Sequence, residues 1–505
     1  MSKAYDLCVA GSGPSAFFLV RKYLSEKPLA KVLVLEAGVD NFDLSTPLSS
    51  RKSHGEDFIL SPTINIGFGG TSQLWHNVLA PLDKEDFRRH SWIPYSGWQI
   101  TRDTLDPYYE EVSDFFGFPI DIFNNPSSYC NFEYERKKII FDDAIFDYKV
   151  FIHPSKYLRT NDAFSHLLTL YAGLTIDRGV VALRFQNIEG KKNELVVYDR
   201  RVQKNSIVSA EKYVLCCGAL NNPEILLNSN HIMTKLPHIG HFLMDHPMGN
   251  FYQYKYKNPV SAKIYSGVKF QKGTSIKIAL KLKYEIQEEK KLANSAFYLR
   301  PSFFEGFNNR SEVLKNQLLT VRSKLKRFRV PVKEVLGLLK DLNMVAQIVQ
   351  YKTGLLSEHH LTDCMFVTEQ RPSINSKVEL TDEFNEYGNY KTRVLWRVSD
   401  KDIEEVAGLK GFIDAKLMSL NSANPTYDSD DFDWRNRLAS AAHHLGTVRM
   451  SKDAESGCVD LNLRLHGFED IYVCDGSVFP TSGNANPTMT CMALASRLGE
   501  QLSND

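Results

Sequence analysis

Residues 5–16 read YDLCVAGSGPSA and residues 31–36 read KVLVLE. A short apolar run enters Gly11, Ser12, Gly13, Pro14, Ser15 and Ala16, a GxGxxA turn. A helical pattern from Ala16 to Leu24 follows, and a second apolar run ends in Glu36. Gly11 makes the tight turn, Gly13 lets a pyrophosphate approach the backbone, Ala16 allows helix and sheet to pack closely, and Glu36 stands where a carboxylate can hold a ribose hydroxyl. Strand, turn, helix, strand and acid in register predict an α/β chain with a Rossmann-like dinucleotide-binding domain. That unit alone leaves NAD and FAD both open.

A second organising stretch closes the chain. Residues 441–450 read AAHHLGTVRM, 471–483 read IYVCDGSVFPTSG and 484–496 read NANPTMTCMALAS. The pattern is a loop with paired histidines, a short strand over 471–473, a glycine-containing turn and a helix. Asn486 is expected at the N-cap, Pro487 at the first helical position and Thr488 just behind it. The unpaired N–H groups of such an end carry roughly half a positive charge, which suits an anionic or flat ligand. Small residues at Ala493, Ala495 and Ser496 let this helix lie close to another backbone.

The chain has 505 residues, more than one hydrophobic core usually supports, so two domains or one interrupted domain is expected. Its 61 Lys and Arg nearly balance 60 Asp and Glu, which argues against an extended nucleic-acid surface. The first residues lack the pattern of a secretory signal, and no run approaches about 18 apolar residues. A cytoplasmic location is the resulting expectation. The 8 cysteines show no CxxC spacing and read as reduced thiols, with no metal site.

Between these ends lie a second glycine-rich loop, GFGGTSQLWHN at 67–77, then SGWQI at 96–100, LDPYY at 105–109 and KYVLCCGALNNP at 212–223. Glycines in the first of these let backbone approach a ring or a phosphate. The last reads as a buried strand, a turn and a helix over 224–228, with the strand joining the sheet of Tyr5–Ala10. GHFLMDHP at 240–247 and EQRPSINSKVEL at 369–380 follow in order. This ordered set resembles the glucose/methanol/choline (GMC) family of FAD-dependent oxidoreductases. Within it the chain looks closest to bacterial sugar- and polyol-oxidising members and to pyranose oxidase.

The resemblance implies a GMC oxidoreductase fold. It places an FAD-binding domain at 1–250 and 431–505 and a substrate domain, built on an antiparallel sheet, at 251–430. It implies cofactor contacts at Gly11, Gly13, Pro14, Ser15, Ala16, Glu36, Gly70, Thr71, Trp75, Val181, Asp475, Gly476, Pro487 and Thr488. Members that attach FAD covalently through the 67–77 loop carry a histidine where this chain has Leu74, so non-covalent FAD is expected, with His76 a polar loop residue.

The family's catalytic base begins an HxxGT pattern, which falls on His443, with Gly446 and Thr447 completing it; its partner falls on Asn486. The implied reaction is oxidation of an alcohol, with the hydroxyl proton passing to His443 and hydride to flavin N5. A sugar, polyol or glycoside is the implied substrate class, and the electron acceptor is unknown. Two competing assignments remain open: His444 as the base, and Asn486 as a helix cap alone. A FAD-containing lyase of the hydroxynitrile-lyase type and a non-catalytic flavin-bound interaction protein are the alternatives to oxidation.

Residues 251–257, 268–270, 275–284, 295–299, 364–369, 376–380 and 392–398 alternate polar with apolar as a half-exposed antiparallel sheet does. Residues 311–354 read instead as a helical excursion around Pro331 with Arg322, Lys324, Lys326, Arg327 and Arg329 crowded together. A basic hairpin docking on a membrane or an acidic partner is one reading of it. A solvated helical excursion is the other, and charge runs favour that one.

Overall fold

In a computed structural model, the structure describes residues 5–40, 53–55, 63–129, 144–187, 192–260, 268–269, 273–302, 359–419, 423–425 and 438–505. The excursion expected at 311–354 lies outside the described residues.

A parallel sheet of five strands gathers the chain's distant parts. Its order is Ile471–Val473, Ala210–Leu215, Tyr5–Ala10, Val32–Glu36 and Leu174–Arg178. Val32–Glu36 is buried throughout, so its five residues VLVLE are apolar up to the terminal acid, as a strand covered on both faces must be. Tyr5–Ala10 runs in register with both neighbours, Val9 opposite Val34 on one side and Val214 on the other. The helix Pro14–Glu26 begins with Pro at its first position, where a missing N–H costs nothing.

The C-terminal helix, Thr488–Asn504, packs on Pro14–Glu26. Gly499 sets the approach: a Cβ there would sit 2.7 Å from the Leu19 carbonyl oxygen. Ala493, Ala495 and Ser496 are fully buried in the same helix. Pro487 occupies the N-cap with αR backbone and no side-chain cap bond, so the helix starts one residue later than the sequence pattern implies. Asn486 is therefore outside the cap, and its side chain is free for another partner.

A larger, mostly antiparallel sheet stands against this half. Its order runs Val268–Lys269, Ser275–Leu282, Ser295–Ser302, His359–Thr368, Pro247–Val260 and Ala423–Pro425. Phe146–His153 adds to Ser275–Leu282 on a second edge, so the sheet also recruits a strand from the first half of the chain. Lys377–Phe384 and Tyr390–Trp396 do not join it. They form a separate three-stranded sheet with Ser53–Gly55. Alternation marks each of them as a strand, but period alone does not choose the pairing partner.

A buried ionic cluster ties the two halves together. The Asp83 carboxylate takes Lys149 Nζ at 2.6 Å and Lys281 Nζ at 2.7 Å, and Asn294 Nδ2 donates to it at 3.1 Å. Lys149 and Lys281 stand on neighbouring strands of the large sheet, while Asp83 follows the glycine-rich loop. The two ammonium groups hold the Asp83 carboxyl well below its ordinary range against the opposing effect of burial. Among the described residues no helix is long and apolar enough to cross a membrane.

Candidate active site

A cavity of about 730 Å³ lies between the two sheets and runs from the first glycine turn to the paired histidines. At one end Gly11 has φ of +101°, and a Cβ would meet the Cys216 carbonyl oxygen at 2.5 Å. Backbone crossing therefore requires glycine there. Gly13 is different: no atom lies within 4 Å of the position its Cβ would take. The opening at Gly13 faces the cavity rather than protein.

Ser12 links the two glycine-rich loops to the acid. Its Oγ donates to Glu36 Oε2 at 2.5 Å and accepts from the Gly69 N–H at 2.9 Å, while Glu36 Oε1 accepts from the Gly38 N–H at 2.9 Å. Burial pushes the Glu36 carboxyl up to about 7, against these hydrogen bonds. The single O–H of Thr160 lies between the carbonyl oxygens of Ser12 and Gly69, with Oγ1 at 2.9 and 2.8 Å from them, and donates in shared fashion. One hydroxyl thus fixes both turns.

Of the expected cofactor contacts, Gly11, Gly13, Pro14, Ser15, Glu36, Gly70, Thr71, Trp75, Val181, Asp475, Gly476, Pro487 and Thr488 line the cavity. Ala16 does not; it is fully buried in the helix and serves packing. Asp475 turns its carboxylate into the protein. It accepts from Gly218 N at 2.7 Å, Asn222 Nδ2 at 2.8 Å, Ser477 N at 2.9 Å and Ser477 Oγ at 2.6 Å. What this turn offers the cavity is backbone held in place by that carboxylate. Leu74 and His76 also line the cavity, His76 at its exposed rim.

An elongated, apolar-walled cleft with an open glycine at one turn and a buried acid at the end of the neighbouring strand fits an adenine dinucleotide. Gly11, Ser12, Gly13 and Glu36 would hold its adenosine and diphosphate. Leu74, Trp75 and the start of Thr488–Asn504 would flank its ring system.

At the other end the two histidines of interest come from different parts of the chain. His443 Nδ1 lies 2.8 Å from His246 Nδ1, and His443 Nε2 lies 3.1 Å from Asn486 Nδ2. His246 Nε2 is 3.2 Å from the Ser482 carbonyl oxygen. That oxygen can only accept, so His246 donates from Nε2 and its Nδ1 carries a lone pair. His443 must then donate from Nδ1. Its Nε2 is left with the lone pair, which accepts from Asn486.

Asp245 builds the loop that presents His443. Its Oδ1 accepts from the N–H groups of His246 at 2.6 Å and His443 at 3.1 Å, and its Oδ2 accepts from Ser440 Oγ at 2.6 Å. Ala442, just before His443, has φ of +63°. A left-handed non-glycine residue costs on the order of 1 kcal/mol or more and persists only where its surroundings over-determine it. Here Ser440 Oγ accepts from the Ala442 N–H at 3.0 Å.

Burial, with His246 and His444 beside it, drives the His443 imidazolium well below the ordinary histidine range, and burial brings His246 down to about 4. Both rings are neutral near pH 7. His444 lines the cavity as well but makes neither of these two contacts. His246 and Asp245 were not singled out as functional by the sequence, although both lie in the quoted GHFLMDHP stretch. An Asp-His pair immediately before Pro247 was the only signal available. Among the described residues no group of His, Cys, Asp and Glu is placed to hold a metal, and the described cysteines form no disulfide.

Two parts of the chain match family descriptions: residues 161–248 match the N-terminal GMC oxidoreductase family model and residues 372–495 the C-terminal one. A paromamine 6'-oxidase of Streptomyces fradiae is 24% identical over 139 residues, 28% of this chain and 25% of that protein. The matched stretch thus spans about a quarter of that relative's length. A long-chain-alcohol oxidase of Arabidopsis thaliana is 36% identical over 56 residues, 11% of this chain and 8% of that protein. The solved pyridoxine 4-oxidase from Mesorbium loti superposes with a TM-score of 0.60 at 16% identity, covering 98% of this chain and 99% of that one. At that identity the likeness concerns the fold.

Proposed function

Starting from the membership of this chain in the GMC oxidoreductase family, we propose that it is an FAD-dependent enzyme that oxidises an alcohol to the carbonyl. The observation that carries the reading is the proton order His246, His443, Asn486. FAD, when bound, supplies the two-electron acceptor for the hydride that leaves the carbinol carbon. The non-covalent mode rests on Leu74 at the position where covalent members have histidine. The division into 1–250 with 431–505 and 251–430 belongs to the same reading.

His443 Nε2 takes the hydroxyl proton of the alcohol, whose O–H replaces the Asn486 Nδ2 donor on that one lone pair as the alcohol binds. A neutral imidazole with its lone pair on the cavity side is the group suited to that task, and such bases contribute roughly 10²- to 10⁴-fold. His246 Nδ1 accepts from His443 Nδ1–H, which fixes the ring and supports the imidazolium that forms. Asn486, free of capping duty, donates from Nδ2 to the site of the alcohol oxygen and holds it against His443. The N–H groups at the start of Thr488–Asn504 favour negative charge building up beside them.

The finer assignment to a sugar, polyol or glycoside rests on the family resemblance and on the relative that oxidises paromamine. The test is an anaerobic absorbance scan of the purified holoprotein during addition of sugars, polyols and simple alcohols. Bleaching of the oxidised flavin band by one class supports the reading and names the class. An intact band throughout, with alcohol binding demonstrated, would overturn it.

A further inference from the structure

The substrate side of the cavity is floored by one face of the large sheet, and its far corner is cationic. Every second residue of the strands faces in: Phe151 and His153, Lys277, Tyr298 and Arg300, Met365 and Val367, and Met248. Lys277 Nζ stands 4.1 Å from the centroid of the Tyr298 ring. His76 and Arg300 are exposed at the rim beside it. The carboxylates that line the cavity, Glu36, Glu224 and Asp475, belong to the parallel-sheet side.

Lys277 is the informative member. Arg300 has Asp363 opposite it on the neighbouring strand. Lys277 has a cation and no carboxylate as its charged neighbour: Arg300 stands beside it, and burial with Lys277 nearby keeps the His153 imidazole below the ordinary histidine range. Among the described residues no ion pair includes it. Burial and Arg300 bring its ammonium down to about 8, so it is charged at pH 7. A half-buried ammonium held against an aromatic face, with Arg300 beside it, needs a counter-charge, and no described carboxylate pairs with it.

We infer that the Lys277 corner binds an anionic group of the substrate, so that the alcohol oxidised here carries a carboxylate or a phosphate ester at its non-reacting end. This rests on the reading of the site as an alcohol oxidase or dehydrogenase. From Tyr298 to Met248, which follows His246 by two residues, the sheet spans two strand spacings, roughly 10 Å. The charge therefore sits several bonds from the reacting carbinol, and it orients the molecule with that carbinol toward His443. Amine-bearing alcohols are disfavoured by the same corner.

The experiment compares D-glucose, D-glucuronate, glucose 6-phosphate and D-glucosamine with the anaerobic holoprotein at pH 7. Binding is read as perturbation of the flavin spectrum and oxidation as its bleaching. An anionic member is expected to bind roughly tenfold or more tightly than glucose, with glucosamine weakest. The tighter of glucuronate and glucose 6-phosphate names the anion. Lys277→Met is expected to abolish the ratio between the anionic and neutral sugars, and Lys277→Arg to retain it. If neither anion outbinds glucose, including the case where nothing binds, or if Lys277→Met keeps the ratio, the inference falls. Preferential anion binding that never bleaches the flavin would overturn the oxidation reading and leave the anion site standing.

Discussion

His246 and His443 meet through their Nδ1 atoms at 2.8 Å with their rings 82° apart, and the Ser482 carbonyl decides which of them donates. The pair is directional: one buried carbonyl orients His246, and His246 orients His443. Removing the acceptor while keeping the shape of the pocket should therefore cost rate and leave flavin in place. His246→Leu is expected to slow flavin reduction by roughly 10- to 100-fold, the worth of one hydrogen bond to a charged group. His246→Asn, whose Oδ1 can take the place of Nδ1, should recover most of it. Equal rates in the two variants would mean that His246 only fills space.

His443→Ala should retain the yellow flavin and lose reduction by alcohol by roughly 10²- to 10⁴-fold. His444→Ala should lose much less, because its ring contacts neither His246 nor Asn486. Stopped-flow reduction of both variants decides between the two histidines, and the opposite ranking would reassign the base.

The pH dependence has a definite sign. As the proposed base His443 would act in its neutral form, and burial lowers its pKa, so reduction should be level from about pH 6.5, the ordinary histidine value, upward. The rate falls only as pH drops through the lowered pKa. Flavin reduction followed from pH 5 to 9 checks this, and an acid limb centred above 7 would contradict it.

The two glycines of the first turn should fail in different ways. Gly13→Val adds a side chain where there is only cavity, at an ordinary φ of −73°, so the protein should fold and lose FAD. Gly11→Ala drives a Cβ into the Cys216 carbonyl at a φ of +101°, so the fold itself should suffer. Thermal melts of the flavin-free proteins separate the cases: Gly13→Val should match the flavin-free parent, and Gly11→Ala should melt lower.

Asp83→Asn should destabilise the chain by about 3–5 kcal/mol, because it leaves Lys149 and Lys281 buried without their counter-charge. The folded-state pKa of Asp83 is depressed, so its contribution is present above its unfolded value of about 3.9 and is lost as pH falls below that. Chemical denaturation at pH 7 and at about pH 2 tests both statements; a parent-like midpoint at pH 7 would show that the cluster is not stabilising.

The first turn was legible because its requirements are local. The sequence GSGPSA placed directly after an apolar strand imposes both the positive φ at Gly11 and the helix at Pro14, whatever lies elsewhere. HxxGT and the Asn486-Pro487 step were legible as motifs, and alternation identified the strands over 275–302 and 377–396. The sheet to which 377–396 belongs was not legible, since side-chain period says which face is buried and not which strand lies alongside. The capping assignment of Asn486 missed by one residue because Pro487 is sterically acceptable at either the N-cap or the first helical position.

By itself, then, the sequence determined the dinucleotide turn, the helix that leaves its N–H groups beside the cavity, and the candidacy of His443 and Asn486. The tertiary structure alone decided the proton order of His443 and the charge of the pocket's far corner. His246 and His443 are far apart in the chain, and the tautomer depends on a carbonyl at Ser482 that a third segment supplies. The cationic corner likewise needs strands 146–153, 275–282 and 295–302 side by side. Hydrogen-bond direction and uncompensated charge are properties of neighbours in space, and only the closed sheet makes these residues neighbours.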